Sequence, residues 1–430
     1  MSEWASVQIR ELLADSFAGD WGDSPEPTTA RVLRATDIDN EGNIIGGGAP
    51  RRIAPSTIAR KALADGDTLL EASGGSTDKP VGRVAYFDQS KAGTGDYLCS
   101  NFFKTLRPKK EHDSKFVFWK LHWFYNQSQI LAFQQQTTGI INLKFEEYLS
   151  APVDVPSEAT EEAKITQILD TLDTQIRQTE ALIAKLERIK QGLLTDLLTR
   201  GIDQNGQLRP TPDQAPHLYK DSPLGRIPRE WTTQMTGEVC SSIVPGRNKP
   251  MLDGGEFPWV TVTDLSENRV AQSRLGLSVS ASSLKKAVGR TIPAGSVIMS
   301  CVGEFGIASI ASCDLVINQQ LHAFVPSRAL EAEWLMHILR VEGPLMDRMA
   351  TQTTIKYLNK TGCESVPIVI PSTGEQVRAL EIVRQHESQT DHAKEELDKL
   401  RLAKDGLMDD LLTGRVRVTP LLGAADQAHA

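Results

Sequence analysis

Lys185-Leu-Glu-Arg-Ile-Lys-Gln-Gly-Leu-Leu-Thr-Asp-Leu-Leu-Thr199 returns 214 residues later as Lys399-Leu-Arg-Leu-Ala-Lys-Asp-Gly-Leu-Met-Asp-Asp-Leu-Leu-Thr413, with nine of fifteen positions identical. A duplicated segment of this length makes the chain a repeat of one supersecondary plan. Working outward, Gln136-Thr137-Thr138 is answered by Gln352-Thr353-Thr354, and the proline frame Pro152 to Pro156 by Pro367 to Pro371. Nearer the start of each copy, Thr36-Asp37 matches Thr263-Asp264 and Trp4 matches Trp231, both at a shift of 227. The shift falls to about 215 further on, so the first copy carries extra residues, expected as a loop within the Gly, Ser and Thr-rich stretch 76–95.

The repeated segment reads as helix. Ile165, Ile168, Leu169, Leu172, Ile176, Leu182, Ile183, Leu186, Ile189, Leu193, Leu194, Leu197 and Leu198 keep a three-four spacing, and that period is the amphipathic helix signature. Ser157 with Thr160 and Glu161 makes a start, and Gly201 a stop. The second copy uses Val377, Leu380, Val383, Leu397, Leu400, Leu407, Met408, Leu411 and Leu412, but residues 384–392 are polar, which predicts looser packing there. Helices this long need a partner, and two copies in one chain pair most economically antiparallel. The expected fold class is α+β: two tandem mixed α/β domains separated by two long helices in an antiparallel coiled coil, pseudo-two-fold in plan. The expected boundaries are 1–156 for the first domain, 157–200 for the central helix, 201–371 for linker and second domain, 372–414 for the C-terminal helix, and 415–430 for a flexible tail.

With 430 residues and 40% hydrophobic content the chain can bury more than one core. No apolar run reaches membrane length and residues 1–19 lack signal-peptide order, so a cytoplasmic location is expected. Cys99, Cys240, Cys301, Cys313 and Cys363 are scattered and read as reduced. The net charge of -8 argues against nucleic-acid binding by the chain as a whole; screening over about 8 Å still leaves room for a local basic face.

The segment Leu182 to Gly201, and Ser222-Pro-Leu-Gly-Arg-Ile-Pro-Arg-Glu-Trp231, resemble the central conserved region and second-domain entry of Type I restriction-modification specificity subunits. The resemblance extends over nearly the whole chain, including the repeat order. It implies two target-recognition domains, each reading one half of a bipartite, asymmetric double-stranded DNA site. It implies paired helices that space the halves and dock two methyltransferase subunits, with restriction/translocase subunits joining them. S-adenosylmethionine, ATP and magnesium would then belong to the partner subunits, and this chain would be non-catalytic. The first domain lacks the Pro-Leu-Gly-x-Ile-Pro leader, and the polar middle of the second helix departs from its counterpart. A duplicated coiled-coil assembly scaffold without DNA recognition is the alternative, favoured by the acidic total.

Residue chemistry narrows the candidates for DNA contact, since base edges are read by Arg, Lys, Asn, Gln, Ser and Thr and phosphates by Lys and Arg. In the first domain these are Arg51, Arg52, Arg60, Lys61, Lys109, Lys110, Gln136, Thr137 and Thr138. In the second they are Arg247, Lys249, Lys285, Lys286, Arg290, Gln319, Gln320, Gln352, Thr353, Thr354 and Lys356. The Gln-Thr-Thr segments are equally suited to turns or helix caps. Asn318, matched by Asn101, suits a strand end, and the two Thr-Asp pairs suit turns. For helix pairing or partner docking the candidates are Leu186, Gly192, Leu193, Leu197, Leu400, Gly406, Leu407 and Leu411, where a mid-helix glycine calls for a close crossing, a partner or a bend. Lys185, Arg188, Lys190, Lys399, Arg401 and Lys404 read as a solvated face. Phe116, Phe118, Trp119, Trp123, Phe124 and Tyr125 have helical spacing and read as core rather than a base-stacking platform. No phosphate loop, dinucleotide fingerprint or metal-ligand spacing is present, and no catalytic residue or metal site is assigned.

Overall fold

The structure is a computed structural model that describes residues 4–75, 79–137 and 139–422. The chain forms two compact units, one built from Met1–Glu180 with Glu395–Ala430, the other from Ala181–Lys394. Each unit is an antiparallel sheet with a small mixed sheet beside it. In the first unit the strands lie in the order Leu13–Ala18, Phe103–Pro108, Thr68–Glu71, Val84–Tyr86. In the second, Cys240–Ile243, Leu321–Pro326, Val297–Ser300 and Ala308–Ala311 repeat that order, and Arg269–Val270 adds a parallel fifth strand. The small sheets match as well: Ala30–Leu33 lies between antiparallel Ala49–Arg51 and parallel Tyr97–Cys99, as Phe257–Val260 lies between Ser278–Val279 and Val316–Ile317. Both proline frames are strands, Pro152–Pro156 pairing Trp4–Gln8 and Pro367–Ile370 pairing Thr232–Met235. The mixed α+β class follows directly from this.

Within the expected loop 76–95 the described residues, 79–95, are largely structured, and residues 76–78 lie outside the described residues. Val81, Val84, Ala85 and Phe87 are fully buried, and their apolar character draws Val84–Tyr86 into the sheet as a strand. Part of the extra length of the first copy sits just beyond, residues 87–96 against 312–315 in the second copy, and includes the short helix Gln89–Ala92; another part precedes that strand, residues 72–83 against 301–307. Both Thr-Asp pairs are the single-turn segments expected: Asp37 accepts from the Arg34 backbone N–H (2.9 Å) and Asp264 from that of Thr261 (2.7 Å). The aromatic run is the helix Ser114–Tyr125, with Phe116, Phe118, Trp119 and Phe124 in the core.

The long helices are Ala159–Thr199 and Thr373–Leu412, and in each unit a part of one runs antiparallel to a part of the other. In the first unit Asp173 meets Lys404 (3.0 Å) and Glu180 meets Arg401 (2.7 Å). In the second, Lys190 meets Glu387 (2.6 Å) and Glu187 meets Lys394 (2.9 Å). At the repeat shift of 214 these are the same two pairs of positions. The polar middle of the second helix is therefore not loose: Glu387 also accepts from Asn268 (2.9 Å), Arg384 pairs with Glu333 (2.6 Å), and Thr390 is buried. Nor is the basic flank wholly solvated, since Lys404 is 5% exposed and lies 4.9 Å from the Trp119 ring centre. A cation can enter an apolar wall when a carboxylate and an aromatic face replace its water.

Leu197 and Leu411 occupy equivalent places but serve the two units separately. Leu197 belongs to the core that includes Trp231, Trp334 and Leu339, and Leu411 to the core that includes Val153, Leu149 and Ile165. Full burial of a leucine contributes about 1.5–3 kcal/mol. Each helix start is tied down by a buried glutamate. Glu375 accepts from Arg209 (3.1 Å), the Trp231 indole (3.1 Å) and the Ile202 N–H (3.0 Å). Glu161 accepts from Arg417 through both oxygens (2.8 Å each). Gly201, at φ +62, is obligatory beside the first of these, because a Cβ would lie 2.2 Å from Glu375 Oε1. The segment expected as a flexible tail from residue 415 is thus engaged through Arg417, and Val418 is 2% exposed within the first core; residues 423–430 lie outside the described residues. Lys120, buried in the same core, donates to the Leu412 carbonyl at the end of the second helix, and burial holds its pKa down to about 8. A cation suits that end of the helix dipole.

Burial depresses three histidines, His122, His322 and His337, to about 4. The unfolded chain takes up protons near pH 6.5 while the folded chain does not, so their stabilisation is present above 6.5 and is lost as pH falls toward 4. Urea unfolding at pH 7.5 and pH 5 should show a loss of roughly 1–2 kcal/mol per histidine at the lower pH. Equal stability at both would contradict neutral burial.

Candidate nucleic-acid interface

In the second unit the candidate residues come together on adjoining loops. The Gln319 amide donates to the Gly246 carbonyl (3.0 Å), so the Gln319-Gln320 turn braces the loop carrying Arg247 and Lys249. The Gln320 carbonyl accepts from Cys301 N–H (2.9 Å), Leu358 N–H donates to the Cys301 carbonyl (2.9 Å), and Gly303 N–H donates to the Lys356 carbonyl (2.8 Å). Those bonds carry the surface across to the turn that holds Gln352, Thr353 and Thr354. On the other side Gly246 packs on the end of the helix Ala281–Lys286; a Cβ there would lie 2.8 Å from the Val288 carbonyl. Arg247, Lys249, Lys285, Lys286 and Arg290 all stand exposed, and none forms an ion pair among the described residues. Five unneutralised cations on linked loops make a local positive field that the net charge of -8 conceals.

The remaining second-unit candidates are held within the turn. Thr353 Oγ1 donates to the Ile355 carbonyl (2.7 Å), the Gln352 amide to the Ala350 carbonyl (3.3 Å), and Lys356 is paired with Asp347 (2.6 Å). Thr354 is exposed. Asn318 caps its own turn through the Gln320 N–H (3.2 Å). The same turn presents Ile355, 64% exposed, and Tyr357. Sequence patterning passed over both, because an isolated apolar residue in a polar stretch has no period.

The first unit builds an analogous surface with different occupants. Gln136 lies on the hairpin Gln134–Thr137 and Ile140–Leu143, with Thr137 opposite Ile140; Thr138 lies outside the described residues. That hairpin joins Ser73–Gly75, whose Ser73 N–H donates to the Phe102 carbonyl next to Asn101 (3.1 Å). Its cations are mostly spoken for. Arg51 stacks on Trp21 (3.9 Å to the ring centre) and donates to the Asp23 carbonyl, Arg52 pairs with Asp23 (3.6 Å), and Lys61 pairs with Asp20 (3.2 Å). Arg60 is exposed on the helix Pro55–Lys61. Lys109 and Lys110 are not part of this surface: they follow the far end of the strand Phe103–Pro108, roughly 20 Å of extended chain from the Asn101-Phe102 turn, and Lys109 pairs with Glu111 (3.6 Å).

The helix candidates divide by burial. Leu186, Leu193, Leu400 and Leu407 are half-buried, while Leu197 and Leu411 are core. Gly192 and Gly406 are exposed, and a Cβ at either would meet nothing within 4 Å, so no close helix crossing within the chain requires them. Exposed Leu182 and Ile189 share the outward face of Gly192, as Leu402 shares that of Gly406. No helix among the described residues is long and apolar enough to cross a membrane.

The Val288 backbone departs from the rest of this surface. It ends the helix Ala281–Lys286 in a left-handed conformation, φ 53, that costs a residue with a Cβ about 1–2 kcal/mol.

The family model described as the Type I restriction modification DNA specificity domain matches twice, over residues 58–188 and 228–402. The MjaVIII specificity subunit of Methanocaldococcus jannaschii is 23% identical over 351 residues, covering 76% of each chain. The MjaIX specificity subunit of the same organism is 22% identical over 193 residues, 43% of this chain and 45% of that one. A chain from a structure on complex assembly and conformational transition of the type I R-M system matches the fold with a TM-score of 0.60, at 18% identity, over 96% of this chain and 98% of its own.

Proposed function

The chain belongs to the Type I restriction-modification DNA specificity family, and from that membership we propose that it reads a bipartite, asymmetric site in double-stranded DNA and positions its partners there. Each unit reads one half, with the linked loops described above as the contact surface. The observation that carries the reading is the five exposed, unpaired cations of the second unit, set beside polar Gln and Thr turns. Cations without protein partners can neutralise phosphates and release counterions, and amide and hydroxyl groups can read base edges. The first unit, with its cations mostly paired, relies more on polar and aromatic contacts.

The partners in this reading are two methyltransferase subunits and the restriction/translocase subunits. The outward helix faces around Gly192 and Gly406 are where the methyltransferase subunits dock. S-adenosylmethionine, ATP and magnesium belong to those partners, and this chain performs no chemistry.

The test is selection from random duplex DNA by the chain assembled with its methyltransferase partner. The expected result is a motif of two unlike halves separated by a gap of constant length. Assembly without any enriched motif would overturn the reading and favour a scaffold.

A further inference from the structure

We propose that Val288 determines specificity in the second unit by reading the C5-methyl group of a thymine in the half-site that unit contacts. The proposal rests on the DNA-reading role set out above.

The backbone around Val288 forms a standard helix termination. Gly289 N–H donates to the Leu284 carbonyl (2.9 Å) and Val288 N–H to the Lys285 carbonyl (3.1 Å), the two bonds that close a helix on a left-handed residue. That position favours glycine, or asparagine, because a Cβ crowds the following carbonyl. A β-branched residue is the least suited, and Val288 is the one non-glycine residue at positive φ among the described residues. Packing does not compensate for the misfit, since the side chain is 77% exposed. Strain held at an exposed side chain is a feature of functional sites.

Its surroundings identify the ligand. Lys285, Lys286 and Arg290 flank it, all exposed and without ion pairs, and Gly246 locks the Arg247 loop against its carbonyl. An exposed apolar side chain close in the chain to unpaired cations is available to what they attract, a polyanion. Within duplex DNA the apolar feature on a base edge is the thymine methyl, in the major groove. Wedges that unstack bases are longer residues such as Phe, Leu or Met; two methyl groups on a fixed backbone fit a methyl contact instead. The corresponding helix of the first unit, Pro55–Lys61, ends on Ala62 in extended conformation (φ -61, ψ 137) and has no such residue. Two unlike readers require differences of this kind.

The experiment uses the full chain assembled with its methyltransferase partner, wild type and Val288→Gly, on the selected target with each thymine of the second half-site replaced in turn by deoxyuridine. Removing one methyl should weaken wild-type binding about four-fold at one position, the equivalent of one buried CH2. Val288→Gly should bind the thymine target weaker by a similar factor and be indifferent to methyl removal, with unchanged salt dependence. Glycine suits the backbone, so the variant should melt at or above the wild-type temperature. A variant that keeps the wild-type response to methyl removal, or a wild type with no responsive thymine, overturns the proposal while leaving the DNA-reading role intact. A wild-type assembly that selects no gapped motif overturns that role and the proposal with it.

Discussion

Glu375→Ala lowers the unfolding free energy of the second unit by about 3–5 kcal/mol, the range for removing one member of a buried ion pair. The carboxylate is 4% exposed and neutralises Arg209, while also accepting from the Trp231 indole and the Ile202 N–H. Its loss leaves the buried guanidinium with only the exposed Glu230 carboxylate (3.3 Å) and the Arg200 carbonyl (3.0 Å), and removes the acceptor of two further polar groups at once. Trp231 lies 5.8 Å from Trp334 in the core, so tryptophan fluorescence during urea unfolding reports the change. Glu375→Gln keeps two acceptor contacts and should lose less. Glu161→Ala should also lose less, since the Arg417 side chain is 31% exposed and regains water. A loss below about 1 kcal/mol for Glu375→Ala, the range of surface pairs, would mean that the cluster is not the anchor described.

Exchanging residues 1–156 for those of another family member should replace one half of the methylated motif completely and leave the other half unchanged. The reason is local. The first-unit candidates hang on loops braced by the Phe103–Pro108 and Ser73–Gly75 strands, and the second-unit candidates on loops braced by Gly246, Cys301 and Gly303. The hydrogen bonds described for each set lie within its own unit. Methylation mapping of DNA modified by the hybrid assembly reads the outcome, and a change in both halves would refute independent reading.

What could be read from the residues was whatever obeys a period or a repeat. The Leu and Ile spacing disclosed both long helices, and the Trp4 and Trp231 match marked equivalent places in the two copies, where the strands Trp4–Gln8 and Thr232–Met235 lie. The buried aromatic helix was legible because its apolar residues follow a helical turn. Charge was not, because its meaning depends on the partner: Lys404 looks like Lys399 in the chain, yet Asp173 and Trp119 draw only the former inside. Lys109 and Lys110 looked as promising as Arg51, but strand direction carries them to the other end of the sheet. Arg417 gave no sign of its role, which depends on a glutamate 256 positions earlier. Val288 was invisible for another reason, since Lys-Ala-Val-Gly suggests a helix stop at Gly289 and not the strained residue before it.

The matched ion pairs along the helices also say something about ancestry and mating. If a rod derived from Ala159–Thr199 met a second copy of itself in the same register, Lys190 would still find Asp173, but Glu187 would confront Glu180. A twin of Thr373–Leu412 would oppose Arg401 to Lys394. Each such repulsion amounts to a few tenths of a kcal/mol, but it occurs twice in a self-pair and is replaced by two attractions in the mixed one. The pairs made by Asp173 and Glu387 thus preserve what a self-associating forebear would have needed, while those made by Glu180 and Glu187 have diverged so that each half now prefers its sibling over its own image.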